Sequence, residues 1–225
     1  MWATRLGIGA VVAFIAGPAL AHFRVLPALG GFGLFALGGL LGIVATVLGI
    51  IGAVRGGGVS VGLVCGAVIT VVFLLVAAPG GKVPRINDIT TDTTNPPQFV
   101  AAGSIAANQG RDMKYPGPSF AEQQRAGYPD LAPLQLAAAP DDVYKRVEAT
   151  AQQMPNWQIT RSDAAAHALE GVDTTWLFRF KDDFVIEVRP QNSGSLVQMR
   201  SKSRDGKGDI GANAARIKAF FAQLH

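Results

Sequence analysis

The sequence predicts an α+β protein: three N-terminal transmembrane helices, then a two-layer domain with a four-stranded antiparallel sheet and two helices. Three observations predict it. Before Lys82 the chain contains no Asp or Glu, only Arg5, Arg24 and Arg55 among three apolar runs, and all 16 acidic residues follow. After residue 140 apolar residues recur first at helical spacing, then in alternation, then at helical spacing again. Between these regions, residues 80–139 are broken repeatedly by proline (Pro84, Pro96, Pro97, Pro116, Pro118, Pro129, Pro133).

The apolar third is read as residues 1–79, with spans at about 6–21, 33–54 and 59–78. A hydrocarbon core of about 30 Å takes roughly 20 apolar residues as helix, and the last two runs meet that length without a charge. Arg5 and Ala19-Leu20-Ala21 imitate a signal peptide and its cleavage site, but two further runs follow directly, so the first is read as an uncleaved span. Gly56-Gly57-Gly58 turns the second run into the third. The four-residue spacings Gly38/Gly42 and Gly62/Gly66 predict close helix contact. Arg5 and Arg55 fall on one side and Arg24 on the other, which places the N-terminus in the cytoplasm. The expected location is a bacterial inner membrane, with the C-terminal domain in the periplasm. No Asp, Glu, Lys or His occurs inside the runs, which argues against a pump or coupled transporter. The only cysteine, Cys65, lies in the third run and leaves the soluble part without a thiol.

Residues 80–139 are expected to be an extended, Pro-rich linker, part of it packed across the folded domain. The soluble domain is read as 140–225. Pro140-Asp141-Asp142 starts a helix, carried by Tyr144, Val147, Ala151 and Met154 and ended by Pro155-Asn156. Trp157 to Arg161 and Ala166 to Thr174 read as strands. Asp183 to Arg189 and Ser195 to Ser203 form a hairpin about Gln191-Asn192-Ser193-Gly194. Setting Pro190 opposite Ser195 puts Phe184, Ile186 and Val188 opposite Ser201, Met199 and Val197. The other face then carries Asp183 opposite Lys202, Val185 opposite Arg200 and Glu187 opposite Gln198. This alternation predicts one buried and one wet face. A final helix follows, with Ile210, Ala214, Ile217, Phe221 and Leu224 as its apolar stripe.

Three stretches are distinctive: Val83-Pro-Arg-Ile-Asn87-Asp88-Ile89-Thr90-Thr91-Asp92-Thr-Thr-Asn95-Pro96-Pro97, then Phe180-Lys-Asp182-Asp183, then Arg200-Ser201-Lys202-Ser203-Arg204 running on to Ile217. Together they resemble the bacterial and plastid family called domain of unknown function 1499, including its version with three N-terminal spans. The resemblance runs from about Lys82 to the end and implies the architecture above, with no activity attached. That family usually has His where this chain has Asn87, so any scheme needing an imidazole there lacks it.

Two groups of residues carry candidate chemistry. Asn87, Asp88, Thr90, Thr91 and Asp92 collect oxygen acceptors and hydroxyls; they suit a polar pocket wall, or simply local capping and Asx-type turns. Arg200, Lys202, Arg204, Lys207, Asn213 and Arg216 form the main cationic cluster, around a glycine-rich helix entrance where N–H groups favour an anion. The competing reading is a solvated face paired internally with Asp182, Asp183 and Glu187. Asp182 and Asp183 are strand neighbours pointing to opposite faces, so they cannot converge on one atom, and Asp183 is expected to pair with Lys202. His167 stands alone in the domain, without a second His or Cys for zinc or for a nucleophile-base arrangement. Trp157, Trp176, Phe178 and Phe180 are read as core.

No metal and no cofactor is expected. Nucleic acid is not an expected partner: of 20 basic residues three precede Lys82, leaving the rest only about one charge positive against 16 acidic ones. The expected partners are the lipid bilayer and an anionic small molecule, lipid or protein. The chain thus reads as a membrane-anchored, non-catalytic module. The alternatives are a cell-envelope hydrolase using the 88–92 segment with Arg200 and Arg204, and a purely structural envelope component.

Overall fold

The computed structural model describes residues 2–78 and 83–224 and divides into two compact units. One is the apolar N-terminal region together with Thr175–Arg179; the other runs from Val83 to Thr174 and from Phe180 onward.

In the first unit, α1 spans Trp2–His22 and α2 spans Ala28–Gly52, continuing in wider turns to Gly57. Both are long and apolar enough to cross a membrane. The third helix, α3, covers Val61–Ala77, 17 residues. At 1.5 Å per residue that is about 26 Å, short of the roughly 30 Å hydrocarbon core, so two candidate spans replace the three expected. The cause at its start is local: Ser60 caps the helix by accepting from Leu63 N–H at 3.2 Å, so Val59 and Ser60 stay outside it. Residues 79–80, where the third run was expected to stop, lie outside the described residues. The glycine spacings do bring backbones together. A Cβ on Gly62 would fall 2.2 Å from the Ala3 carbonyl of α1, and one on Gly66 2.8 Å from Thr46 N of α2. Thr46 and Thr70 share a hydrogen bond of 3.1 Å between α2 and α3.

Thr175–Arg179 belongs to this same unit. Phe178 sits 5.5 Å, ring to ring, from both Phe32 and Phe35, and Trp176 sits 5.5 Å from His22. The expectation that Trp176 and Phe178 join the core of the α+β domain is thereby corrected.

The second unit is built on an antiparallel sheet of six strands, not four. The strands are β1 (Asp88–Thr90), β2 (Leu134–Leu136), β3 (Trp157–Asp163), β4 (Ala168–Thr174), β5 (Lys181–Gln191) and β6 (Gly194–Ser203). Their order is β1-β6-β5-β4-β3, with β2 also on β6. The β5–β6 register matches the alternation argument: Pro190 faces Ser195, Ile186 faces Met199 and Asp183 faces Lys202. Asn192, with φ of 49°, takes the left-handed turn position that asparagine tolerates.

The two extra strands lie end to end on the outer edge of β6. β1 pairs with Arg200–Lys202 and β2 with Ser195–Val197. Both come from residues 83–139, which therefore contribute to the sheet and also form α4 (Pro118–Gly127). Gln124 of α4 protects the free edge of β1: its amide accepts from Thr90 N–H at 3.0 Å and donates to Thr90 C=O at 2.6 Å.

Helices α5 (Pro140–Gln153) and α6 (Ala212–Ala222) cover one face of the sheet. Val143, Val147 and Ala151 from α5 meet Leu169, Phe184, Ile186, Val188, Val197 and Met199 from the sheet and Ile217 and Phe220 from α6. Trp157 lies 4.0 Å from Phe184 and 5.2 Å from Phe220, ring to ring. Ile210 is not part of the α6 stripe. It precedes the helix with φ of 54° and is 58% exposed.

Candidate functional site

The second face of the sheet, expected to be wet, is buried. Side chains of β6 alternate, so Gln198, Arg200 and Lys202 point away from the helices, alongside Glu170, Asp183 and Val185. All six are buried, and Arg200, Glu170 and Asp183 are completely enclosed. The cover comes from residues 92–117, anchored to the sheet by polar contacts.

Three charge groups organise this region. In the first, Asp88 on β1 receives Arg200 in a two-pronged contact, Nε to Oδ1 and Nη2 to Oδ2, each 2.8 Å, and Lys202 Nζ also reaches Oδ2 at 2.8 Å. Arg200 directs two further donors to the covering segment, to Pro97 C=O at 3.2 Å and Met113 C=O at 2.9 Å. Its guanidinium lies 4.8 Å from the centre of the Phe99 ring and 5.6 Å from that of Tyr115. Burial, reinforced by Asp88, pushes the Tyr115 hydroxyl up to about 12, so it stays protonated at ordinary pH.

In the second, Asp183 receives Arg204 Nη2 at 2.7 Å, Asn108 Nδ2 at 2.9 Å and Arg111 Nη1 at 3.4 Å. Arg204, rather than the expected Lys202, is therefore the main partner of Asp183. Lys202 sits opposite it in register but turns to Asp88.

The third lies on the helix-covered face. Arg216 donates to Asp182 at 2.5 Å, to Asp173 at 2.7 Å, to Ser201 Oγ at 2.8 Å and to Asn213 Oδ1 at 2.6 Å. Asp182 and Asp183 point to opposite faces, as strand geometry requires.

The six cationic-cluster residues are thus not one site. Arg200, Lys202 and Arg204 serve one face, Asn213 and Arg216 the other, and Lys207 is exposed on the loop between β6 and α6. The entrance to α6 is occupied by the chain's own carboxylate: Asp209 accepts from Gly211 N–H and Asn213 N–H, both at 2.9 Å.

The residues of the polar motif make separate contacts rather than one pocket wall. Asn87 donates to Gly206 C=O at 2.7 Å, Thr91 Oγ1 accepts from Met199 N–H at 3.0 Å, and Asp92 Oδ2 accepts from Gln198 at 3.0 Å. Asp92 Oδ1 takes Thr94 N–H at 2.9 Å and Asn95 N–H at 3.0 Å, an Asx-type turn. Thr90 Oγ1 makes only long contacts with Asp92. The hydrolase alternative needs the 88–92 segment within reach of Arg200 and Arg204. Asp88 is within reach of Arg200, but both of its oxygens are already held by cations.

Sequence reasoning missed Asn108, Arg111, Gln124 and Glu170. Glu170 accepts from the backbone N–H groups of Val100, Ala101 and Ala102 at 2.9–3.0 Å and so fixes the covering segment. The only signal for it was its place opposite Val185 in the alternation of β4.

A family model described as protein of unknown function (DUF1499) matches residues 88–224, more than half of the chain. The chain belongs to the DUF1499 family. The match begins at Asp88, the buried partner of Arg200, so the DUF1499 region takes in the covering segment as well as the sheet. No curated protein matches the chain. Among the described residues no group of three or more His, Cys, Asp or Glu is placed to hold a metal ion. His167 pairs with Asp141 at 2.6 Å from a turn with φ of 48°, so it is not a strand residue as expected.

Burial also pushes the Asp209 and Asp173 carboxyls up, against the opposing pull of the Asn213 and Gly211 N–H groups for Asp209 and of Arg216 for Asp173. A carboxyl raised by folding favours the folded state most when protonated. That contribution is complete below the ordinary value near 4 and is lost as pH rises through the raised one. These two residues therefore do not contribute to acid unfolding of the DUF1499 domain.

Beside Asp209, the Tyr128 hydroxyl is buried with no hydrogen-bond partner among the described residues. Tyr128→Phe removes a desolvated polar atom and is expected to hold or raise stability, by up to about 1 kcal/mol, read by chemical denaturation. A clear loss of stability would mean that the hydroxyl has a partner.

A depression of about 280 Å³ opens beside the β5–β6 turn, lined by Gln135, Leu136, Ala137, Asn192 and Ser195, and none of the candidate site residues lines it.

Proposed function

We propose that this DUF1499 protein is a membrane-anchored, non-catalytic module that binds an anionic small molecule, lipid head group or acidic partner on its α+β domain. The observation that carries the reading is a local excess of cations around Asp88 and Asp183 on the covered face. Arg200, Lys202, Arg204 and Arg111 share these two carboxylates. Glu170 on the same face is held by the N–H groups of Val100, Ala101 and Ala102 beside Arg161, and Asp92 by Gln198 and two backbone N–H groups. Arg200 alone satisfies both oxygens of Asp88, which leaves Lys202 as a surplus cation beside Arg204 and Arg111. These three reach the rim, with side chains 11%, 11% and 22% exposed. A bound anion would offset the surplus, because a partly buried cation is costly without a counter-charge.

The finer placement is part of the proposal: a bacterial inner membrane, the N-terminus in the cytoplasm and the domain in the periplasm, which requires the 17-residue α3 to serve as a third crossing despite its length. A reporter fused after His225 tests that sidedness.

Lys202→Met tests the site, since Arg200 still neutralises Asp88 and the fold is retained. Native mass spectrometry of the detergent-extracted chain, followed by titration with inorganic phosphate, is expected to show an anionic adduct. Lys202→Met should weaken it by at least about tenfold, the effect of one charge-assisted hydrogen bond. Equal binding by the two proteins, or no binding by either, overturns the reading.

A further inference from the structure

We infer that Thr175–Arg179, the loop joining β4 to β5, is a membrane-interface element whose Trp176 and Leu177 sit in the head-group boundary of the bilayer. The loop is chemically unlike a soluble hairpin turn. It reads Thr-Trp-Leu-Phe-Arg, with Trp176 66% and Leu177 40% exposed. Exposed adjacent apolar side chains mark a contact surface.

The occupant follows from where the loop belongs. It is part of the unit containing α1 and α2, the two helices able to cross a membrane. Within that unit it rests on the end of α1 and the start of α2. The Trp176 carbonyl lies 3.0 Å from His22 Nδ1, and Phe178 packs on Phe32 and Phe35. Phe23 and Val25, in the turn between those helices, are themselves exposed, so one apolar rim runs from the turn onto the loop.

Helix ends are where Trp accumulates in membrane proteins, its ring apolar and its N–H in reach of water or head groups. Arg24 and Arg179 lie in the same two segments, with φ of 60° and 64°. They supply cations for lipid phosphates. A protein partner would explain the apolar pair equally well, but not its continuity with the ends of candidate spans. The inference rests on the membrane placement of α1 and α2 and is independent of the anion site.

The test uses the full chain in vesicles of phosphatidylethanolamine and phosphatidylglycerol. Cys65→Ser clears the single native thiol, and Leu177→Cys then takes a nitroxide label. Val44→Cys, an exposed position on α2, reports insertion itself, and Lys145→Cys reports water. The label at 177 is expected to favour collision with oxygen over a polar nickel complex several-fold more than the label at 145. A ratio equal to that at 145, or a label shielded from both quenchers, overturns the proposal. A water-like ratio at 44 would instead sink the membrane placement.

If the cysteine variant does not fold, quenching of native tryptophan by lipids brominated near the head group gives the same answer. In a Trp2→Phe background, which removes the exposed tryptophan at the start of α1, Trp176→Phe should abolish most of that quenching; unchanged quenching overturns the proposal.

Discussion

Asp88→Ala is expected to cost about 3–5 kcal/mol, because it strands two cations in a buried layer. Arg200 is fully enclosed and Lys202 nearly so, and among the described residues Asp88 is the only carboxylate paired with them. Arg200 would keep two carbonyls and two aromatic rings, which solvate a guanidinium but do not neutralise it. Domains of ordinary size are stable by about 5–15 kcal/mol, so the variant falls near the folding threshold. Asp88→Asn preserves shape but removes the charge and should lose nearly as much. Pulse proteolysis of the full chain, following cleavage after Val83, measures both. A loss below about 1 kcal/mol would be the value of an exposed pair, and would mean that the face is open to water.

The second large effect is expected at Glu170. Its carboxylate holds three successive N–H groups of the covering segment and lies 3.6 Å from Arg161. Glu170→Ala leaves three donors without an acceptor, that of Ala102 buried and those of Val100 and Ala101 partly buried, each worth about 1–3 kcal/mol if it stayed out of water. The segment has a cheaper response, which is to peel away and hydrate those groups. The expected cost is therefore local, about 2–3 kcal/mol, with exchange of the 98–112 amides accelerated about a hundredfold. The helix-covered face should keep its protection, because Leu169 and Phe184 are untouched. Uniform acceleration over the whole domain would show that the cover and the sheet open as one unit.

The two substitutions probe opposite ends of the same layer. Asp88 fastens β1 to β6 through charge, and Glu170 fastens the chain at 100–102 to β4. Between them Asn108 and Arg111 close over Asp183, with Arg111 Nη2 reaching Ser203 C=O at 2.6 Å. The polar layer is thus tied at several points, and each tie joins residues far apart in the chain.

The sequence alone determined the elements whose information is local. The apolar runs specify the helical unit, because a long uncharged helix needs no distant partner to be recognised. Alternation and the Asn192-Ser193 turn specify the β5–β6 register, because a slip of one residue would exchange the two faces. Pro140, Asp141 and Asp142 start α5 where expected. The small glycine contacts between helices were likewise visible from spacing.

Only the tertiary structure decided the fate of the second face. Alternation reports that a face is polar; it does not report whether water reaches it. Residues 92–117 carry no periodicity, and β1 and β2 are three residues each, too short to announce themselves. Asp88 and Arg200 lie 112 positions apart. The pairing that turns a cationic patch into a buried, ion-paired layer therefore depends on a chain path that no local pattern encodes. A polar surface becomes a core when each donor finds an acceptor, and that matching is a property of the fold as a whole.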